Sequence, residues 1–129
     1  MLANAAFAGS ATWYLNSTSN DWNTAASWTP ETVPEVSTDV ATFDVSNITD
    51  VAISFWPTMP LGQITFNPGA SAYVLGGNHL DLYDAGIINN SGITHSYSSG
   101  LVLSRDGHGW RWDDLHRQLA AVWISSWFL

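Results

Sequence analysis

Short apolar runs alternate with turn-forming residues along the middle of the chain, from Thr38 to Gly92. The runs are rich in β-branched and aromatic side chains, which suit a pleated, half-buried surface. Glycine, asparagine and proline lie between them, and their backbone preferences favour reversals of the chain. The runs begin at intervals of roughly nine to twelve residues, which fits a sandwich, a barrel or a solenoid. They cover residues 41–43, 51–55, 63–66, 72–75 and 80–87, with turns predicted at 67–69 and 76–78.

Alternation within these runs predicts which side chains face the core, because successive residues of a strand point to opposite faces. The side chains predicted to face inward are Ile53, Phe55, Ile64, Phe66, Leu80 and Leu82. Two further runs, at 93–97 and 100–104, extend the pattern. The sequence therefore predicts an all-β body over residues 38–104.

Residues 1–11 contain two small-x-small sequences of the kind that a signal peptidase accepts, without the apolar segment that should precede them. We interpret residues 1–11 as the remnant of a secretory signal whose start lies upstream. A small-residue N-terminus is the alternative. In either case we expect these residues to pack little against the body.

Residues 12–37 hold three of the eight tryptophans, Trp13, Trp22 and Trp28, among asparagine, serine and threonine. One hypothesis makes these indoles, with Tyr14, an exposed platform that stacks on sugar rings. The favoured interpretation makes them a plug over the open end of a stacked-strand core, where apolar surface and unpaired backbone would otherwise be exposed. If the platform exists, the candidate ligand-binding residues are Trp13, Trp22 and Trp28.

Several short elements between residues 13 and 92 occur together in one known family. They are Trp13, Asp21-Trp22, Ser27-Trp28, Val33-Pro34, the acid and apolar run 39–44, QITFNPGASAYVL at 63–75 and GIINNSG at 86–92. In these elements the chain resembles the beginning of a bacterial autotransporter-associated β-strand repeat protein, a surface or secreted passenger. The resemblance implies the start of a right-handed parallel β-helix, a β-solenoid, with residues 12–37 as its cap and 38–104 as rungs. A β-sandwich is the alternative fold.

The net charge and the cysteine content limit which partners and which metal sites the chain can have. Eleven acidic residues stand against three basic ones, for a formal net charge of -8, and residues 1–104 contain no Lys or Arg. Such an acidic body cannot neutralise phosphates, which argues against binding to nucleic acid or to anionic membranes. The chain has no cysteine, which excludes disulfides and thiolate metal sites.

Few residues suggest chemistry. One outward-facing set could form an acid–base pair or a weak metal site: His79, Asp81 and Tyr83, with Asp84 close by. Strand alternation produces such a pair readily, so we interpret this set as structural. Asp44 and Asp50 flank a turn, but the sequence does not specify the number of oxygen ligands that calcium requires. We therefore expect no catalytic residue, no metal site and no cofactor.

Residues 105–129 differ in composition from the body. Residues 1–104 contain eleven Thr and nine Asn, whereas the tail has neither and holds all three Arg. Its apolar residues recur at helical spacing, which predicts a short amphipathic helix through Leu115, Leu119, Val122, Trp123 and Trp127. Two hypotheses stay open for this atypical tail: a terminal cap, or a segment translated from a shifted reading frame or joined by fusion. Its apolar part is too short to span a membrane.

With the resemblance, these observations favour a non-enzymatic exported surface protein, a fragment of an autotransporter-like passenger with a structural or adhesive role. We expect it to be secreted or held at the bacterial outer membrane, with surface glycans or other cell-surface proteins as partners and no nucleic acid. A carbohydrate-binding module that uses exposed tryptophans is the first alternative. The second is a polysaccharide lyase or hydrolase on a β-helix. The lack of Lys and Arg in residues 1–104 disfavours the lyase, whereas Asp81 and Asp84 leave hydrolysis by paired carboxylates open.

Overall fold

The computed structural model describes residues 9–103 and 122–128. Seven strands occur in this part of the chain: β1 Ala11–Trp13, β2 Trp28–Thr29, β3 Val40–Phe43, β4 Asp50–Phe66, β5 Val74–Asn89, β6 His95–Leu103 and β7 Val122–Phe128. They form one sheet in the order β2-β1-β3-β4-β5-β6-β7. Only β1 and β2 pair antiparallel, and the other pairs are parallel. The prediction of an all-β body is confirmed, and the described residues contain no α-helix.

The strands from β3 to β6 pair in a repeating register, each residue lying opposite one 21 to 24 positions further along the chain. Seven residues connect β4 to β5, and five connect β5 to β6. A straight strand with the 17 residues of β4 would measure about 56 Å, whereas seven connecting residues span at most about 29 Å. β4 must therefore bend, and its register shifts after Ile53 and Leu61 are where the pairing allows this.

The observed strands are longer than the predicted ones, because turn-forming residues bend them without ending the pairing. The runs predicted at 51–55 and 63–66 join in β4, and the turn predicted at 76–78 lies inside β5, so that prediction is wrong. Gly77 has a φ of 104°, and a Cβ there would lie 2.4 Å from the Ile53 carbonyl oxygen. Glycine thus lets the two backbones approach at the bend.

The core lies where strand alternation predicts it. Five of the six side chains predicted to face inward are at most 1% exposed: Ile53, Ile64, Phe66, Leu80 and Leu82. The sixth, Phe55, is half-buried against the same core. It lies between Ile53 and Thr58, where the pairing shifts register and strict alternation is lost.

A series of ring contacts runs through this core, and we call it the aromatic column: Trp13, Trp22, Trp28, Phe43, Phe66, Tyr73 and His95. Phe43 and Phe66 are register partners on β3 and β4, and their ring centroids are 5.5 Å apart. Tyr73 flanks Phe43 at 4.8 Å. In-register parallel pairing thus places equivalent side chains above one another along the sheet.

The N-terminal boundary differs from the prediction. Ala11 is buried in β1, where it pairs with Ala41, and the Ser10 hydroxyl accepts a hydrogen bond from the Val40 backbone N–H. The expectation that residues 1–11 pack little is therefore wrong for Ala11, because β3 pairs with it. Ser10 is exposed and contacts β3 through its hydroxyl. Residues 1–8 lie outside the described part of the chain.

The C-terminal helix prediction is wrong for its second half. Residues 122–128 form β7, which pairs parallel with β6, so Val122, Trp123 and Trp127 belong to a strand. The edge of β6 supplies backbone hydrogen-bonding groups that outweigh the helical spacing of these residues. Leu115 and Leu119 lie outside the described residues, so the two hypotheses about the tail stay predictions.

One mostly parallel sheet differs from the two packed antiparallel sheets of the β-sandwich alternative. A parallel sheet by itself does not establish a β-solenoid, so the solenoid stays a prediction. No helix in the described ranges is long and apolar enough to cross a membrane.

Candidate functional site

The three tryptophans predicted as ligand-binding residues lie together at the β1–β2 end of the aromatic column. Trp13, Trp22 and Trp28 are at most 1% exposed. Trp28 packs edge-on against both of the others, with ring centroids 5.0 Å from Trp13 and 4.8 Å from Trp22. All three contact Phe43. The cluster is thus a compact aromatic core that covers the start of the column.

Each indole also satisfies its polar atom on a backbone carbonyl. The Nε1–H groups donate to three acceptors at 2.8 to 3.0 Å: Trp13 to Ile48, Trp22 to Pro34 and Trp28 to Trp22. Buried rings with paired N–H groups offer neither a face nor a donor to a sugar. The structure therefore does not support Trp13, Trp22 and Trp28 as ligand-binding residues. That they plug the end of a stacked-strand core stays a prediction.

The candidate acid–base set on β5, His79, Asp81, Tyr83 and Asp84, differs in exposure from one member to the next. On β5, His79 and Asp84 are exposed and Asp81 is half-buried, with its Oδ1 buried and without a hydrogen-bond partner among the described residues. Asp44 accepts hydrogen bonds from the Val45 N–H and the Asn67 amide, which is a structural role at a turn. Within residues 9–103 and 122–128, no group of three or more His, Asp or Glu side chains is placed to hold a metal ion.

A buried histidine at the start of β6 is the polar feature that the sequence prediction missed. His95 is 1% exposed, and its ring stacks on Phe66 with a centroid separation of 3.7 Å and an interplanar angle of 7°. Its Nδ1 accepts a hydrogen bond of 3.1 Å from the Tyr73 backbone N–H. Its Nε2 lies 2.8 Å from Oγ of Ser91, in the turn between β5 and β6. The alternation of His95 with Tyr97, which is also buried, was the signal that could have placed it inward.

The hydrogen bonds fix which ring nitrogen of His95 carries the proton. Because Nδ1 accepts from a backbone N–H, the proton of the neutral ring sits on Nε2, which donates to Ser91. The Ser91 hydroxyl in turn donates to Oδ1 of Asn89 at 2.6 Å. A serine nucleophile would need the opposite arrangement, with its hydroxyl donating to an unprotonated ring nitrogen. The His95–Ser91 pair is therefore structural.

Burial also alters the acid–base behaviour of this region. It lowers the pKa of His95 to about 4, because the charged imidazolium would lose its hydration. The same effect raises the pKa of Tyr73, whose hydroxyl donates to the Asp44 backbone carbonyl. Neither group is poised to exchange protons near neutral pH, which is what a general acid or base requires.

Two open grooves lie beside the buried tryptophans, around Tyr14. Tyr14 is 42% exposed, unlike its neighbour Trp13. An open groove of about 370 Å³ lies on one side of it, bordered by Leu15, Asp44 and Val45. A second, of about 320 Å³, lies on the other side. Tyr14 was one of the four aromatic residues of the platform hypothesis, and it is the one that the structure leaves exposed.

The described residues thus place a buried polar network at one end of the aromatic column and an open aromatic surface at the other. Neither arrangement contains a nucleophile with its base, or a metal-binding set. Compared with known protein families, with curated proteins and with solved structures, the chain matches none.

Proposed function

We propose that this chain is part of a non-enzymatic, exported bacterial surface protein, an autotransporter-like passenger with a structural or adhesive role. Its strands would be successive rungs of a right-handed β-solenoid capped by residues 12–37. The carrying observation is the parallel register of β3 to β6, in which partners lie 21 to 24 residues apart. A repeat of that length matches one turn of a coil.

The short connections support the solenoid. Parallel strands in an open sheet need a crossover of about a dozen or more residues, usually through a helix, whereas seven and five residues connect β4 to β5 and β5 to β6. A chain that bends within each long strand reaches the next register position without a crossover. Right-handed coiling is the hand that parallel β connections favour.

The composition supports an exposed, adhesive or structural role. The body carries eight acidic residues and no Lys or Arg over residues 1–104. This suits a protein that stays soluble outside the cell without binding phosphates or anionic membranes. The lyase alternative lacks comparable support, because residues 1–104 supply no Lys or Arg to abstract a proton or hold a uronate. The Ser91–His95 contact, with the imidazole as donor, offers no activated serine to a hydrolase.

Duplication of one rung tests the architecture. Repeating residues 44–66, one register length on β3 and β4, should leave a cooperatively folded protein, because each rung of a solenoid contacts only its neighbours. Repeating residues 44–55 is the matched control and should unfold the chain, since it displaces the inward-facing positions by half a turn. Circular dichroism and thermal melting report both results. If both duplicated chains fold equally well, or if both fail to fold, residues 44–66 do not form one rung.

An epitope inserted at Gly69 tests the location. This residue lies in an exposed turn, and a Cβ built there meets nothing within 4 Å. In the full-length gene product expressed in its own host, antibody should label intact cells, and external protease should remove the label. Deleting residues 9–103 should lower attachment of the cells to surfaces severalfold. An epitope detected only after lysis, in the cytosolic fraction, would rule out export.

A further inference from the structure

The surface around Tyr14 is an open part of the cap, beside the aromatic cluster. Tyr14 and Thr29 border both grooves described above. On one side the lining continues through Leu15 and Val45, which are 52% and 50% exposed. On the other side it continues through Pro30 and Glu31. The two volumes, about 370 and 320 Å³, fall in the range of small-ligand sites, which is about 300 to 1,000 Å³.

The backbone of Tyr14 is held in place, so its ring projects from a rigid base. Its N–H donates to the Ser27 carbonyl oxygen at 2.7 Å. Its carbonyl oxygen accepts from the hydroxyls of Ser17, at 3.0 Å, and Ser46, at 2.8 Å. Beneath it, Trp13 and Trp28 border one groove each and are packed into the core. An aromatic ring on a fixed backbone loses little conformational entropy when a ligand stacks on it.

The charges at this surface favour a neutral sugar over an anionic one. Asp44 borders one groove and Glu31 the other, and residues 1–104 supply no Lys or Arg to offset them. Anionic sugars would be repelled, whereas the hydroxyls of a neutral sugar can donate to the carboxylates and exchange hydrogen bonds with Thr29. An aromatic face suits the apolar face of a pyranose ring.

We propose that the Tyr14 surface binds a neutral glycan, with one sugar ring stacked on Tyr14 and the chain continuing into the grooves on either side. This site deepens the proposed adhesive function and rests on it. Of the four aromatic residues in the platform hypothesis it keeps only Tyr14, because the three tryptophans are buried.

Calorimetric titration of the whole chain with defined oligosaccharides tests the site. The neutral probes are cellohexaose, xylohexaose and hexa-N-acetylchitohexaose; hexagalacturonate is the anionic probe and a fully deacetylated chitosan hexamer the cationic one. At least one neutral probe should bind, and hexagalacturonate should not. Tyr14→Ala should lower the affinity for the neutral probe about tenfold or more, as expected for loss of a central aromatic contact. Tyr14→Phe keeps the ring and should stay within about threefold of the unaltered protein.

Val36→Ala is the matched control, because Val36 is 40% exposed and borders neither groove. It should leave the affinity unchanged. If Tyr14→Ala fails to fold, NMR titration of the unaltered chain replaces it, and the neutral probe should shift the backbone amide signals of residues 12–15, 29, 31, 44 and 45. Absence of binding by all neutral probes, binding indifferent to Tyr14, or tighter binding of the cationic hexamer would each overturn the proposal. The rung duplication and surface-labelling results do not depend on Tyr14, so failure here leaves the proposed export and architecture standing.

Discussion

The aromatic column ends differently on its two sides. At the β1–β2 end three indoles pack on Phe43, and each N–H donates to a backbone carbonyl. At the β6 end a single imidazole, that of His95, stacks on Phe66 and has both nitrogens hydrogen-bonded. Both ends bury heteroaromatic rings whose polar atoms are paired. Only the second end holds a ring that can change its charge.

This difference separates two sources of stability. The tryptophan end depends on buried apolar area, which is insensitive to pH and is shared among three large rings. The histidine end depends on one ring and on the hydrogen bonds that fix its neutral tautomer, and the bond from the Tyr73 N–H is lost if the ring is protonated. The packing of the tryptophan end is therefore independent of pH, whereas that of the histidine end is retained only while His95 is neutral.

Removal of one indole should have the largest effect. Trp22→Ala deletes a side chain that is 0% exposed and contacts both Trp28 and Phe43. We expect a loss of about 3 to 5 kcal/mol in the free energy of unfolding, from lost burial and the cavity left behind. Urea denaturation measures it, with Trp22→Phe as the control that keeps a ring and should lose less. A loss below about 1 kcal/mol would mean that the tryptophan end is not a packed core.

Acidification should weaken the other end. The folded chain holds the pKa of His95 at about 4, below its ordinary value of 6.5, so the unfolded state binds more protons between these two pH values. Stability is therefore full above about pH 6.5 and falls as the pH drops toward 4, by up to about 3 kcal/mol. Urea denaturation across this range measures the slope. His79→Gln, which changes an exposed histidine, should keep that slope; a slope that disappears with His79 instead would contradict the assignment to His95.

Local patterns predicted the class of fold because strand alternation survives in most of the core. Ile64, Phe66, Leu80 and Leu82 are buried as their spacing predicts. The strand boundaries were harder to predict from the sequence. Gly77 and its neighbours have the composition of a turn, but they lie at a bend within the continuous strand β5, beside Ile53. Bending depends on the neighbouring strand, which local sequence does not contain.

The site residues were predictable in type but not in exposure. Trp13 and Tyr14 are adjacent aromatic residues in the sequence, yet one is 1% and the other 42% exposed. Trp13 is the last residue of β1 and Tyr14 follows it, and a strand of three residues is too short to be recognised by its pattern. His95 was missed because its partners, Phe66 and Tyr73, come from β4 and from the connection that follows it.

Replacing His95 with a ring that cannot be protonated should remove the pH dependence that distinguishes the two ends of the aromatic column. His95→Phe keeps a ring against Phe66 but leaves the Tyr73 backbone N–H without its acceptor. We expect a loss of about 1 to 3 kcal/mol at pH 7, the cost of a buried unpaired donor. The same variant should lack the extra loss between pH 6.5 and 4, so its stability should approach that of the unaltered chain on acidification. A variant that is more stable at pH 7 and equally acid-sensitive would show that the histidine end does not depend on this network.

The smallest effect should come from Ser91→Ala, which removes the acceptor of the His95 Nε2–H but leaves Nδ1 and its bond to Tyr73 intact. Ser91 is only half-buried, so water can replace part of the lost bond, and we expect a cost of about 1 kcal/mol at pH 7. The pH slope should stay close to that of the unaltered chain. Protonation adds its proton to Nδ1 and breaks the contact with the Tyr73 N–H, whereas Nε2–H can donate to Ser91 in both charge states. Denaturation curves at pH 7 and pH 5 should therefore shift in parallel, while ¹⁵N chemical shifts of the imidazole report the protonated nitrogen directly. If Ser91→Ala abolished the slope, or if the neutral ring carried its proton on Nδ1, the tautomer would be reversed and the serine–histidine pair would regain the orientation that a nucleophile needs.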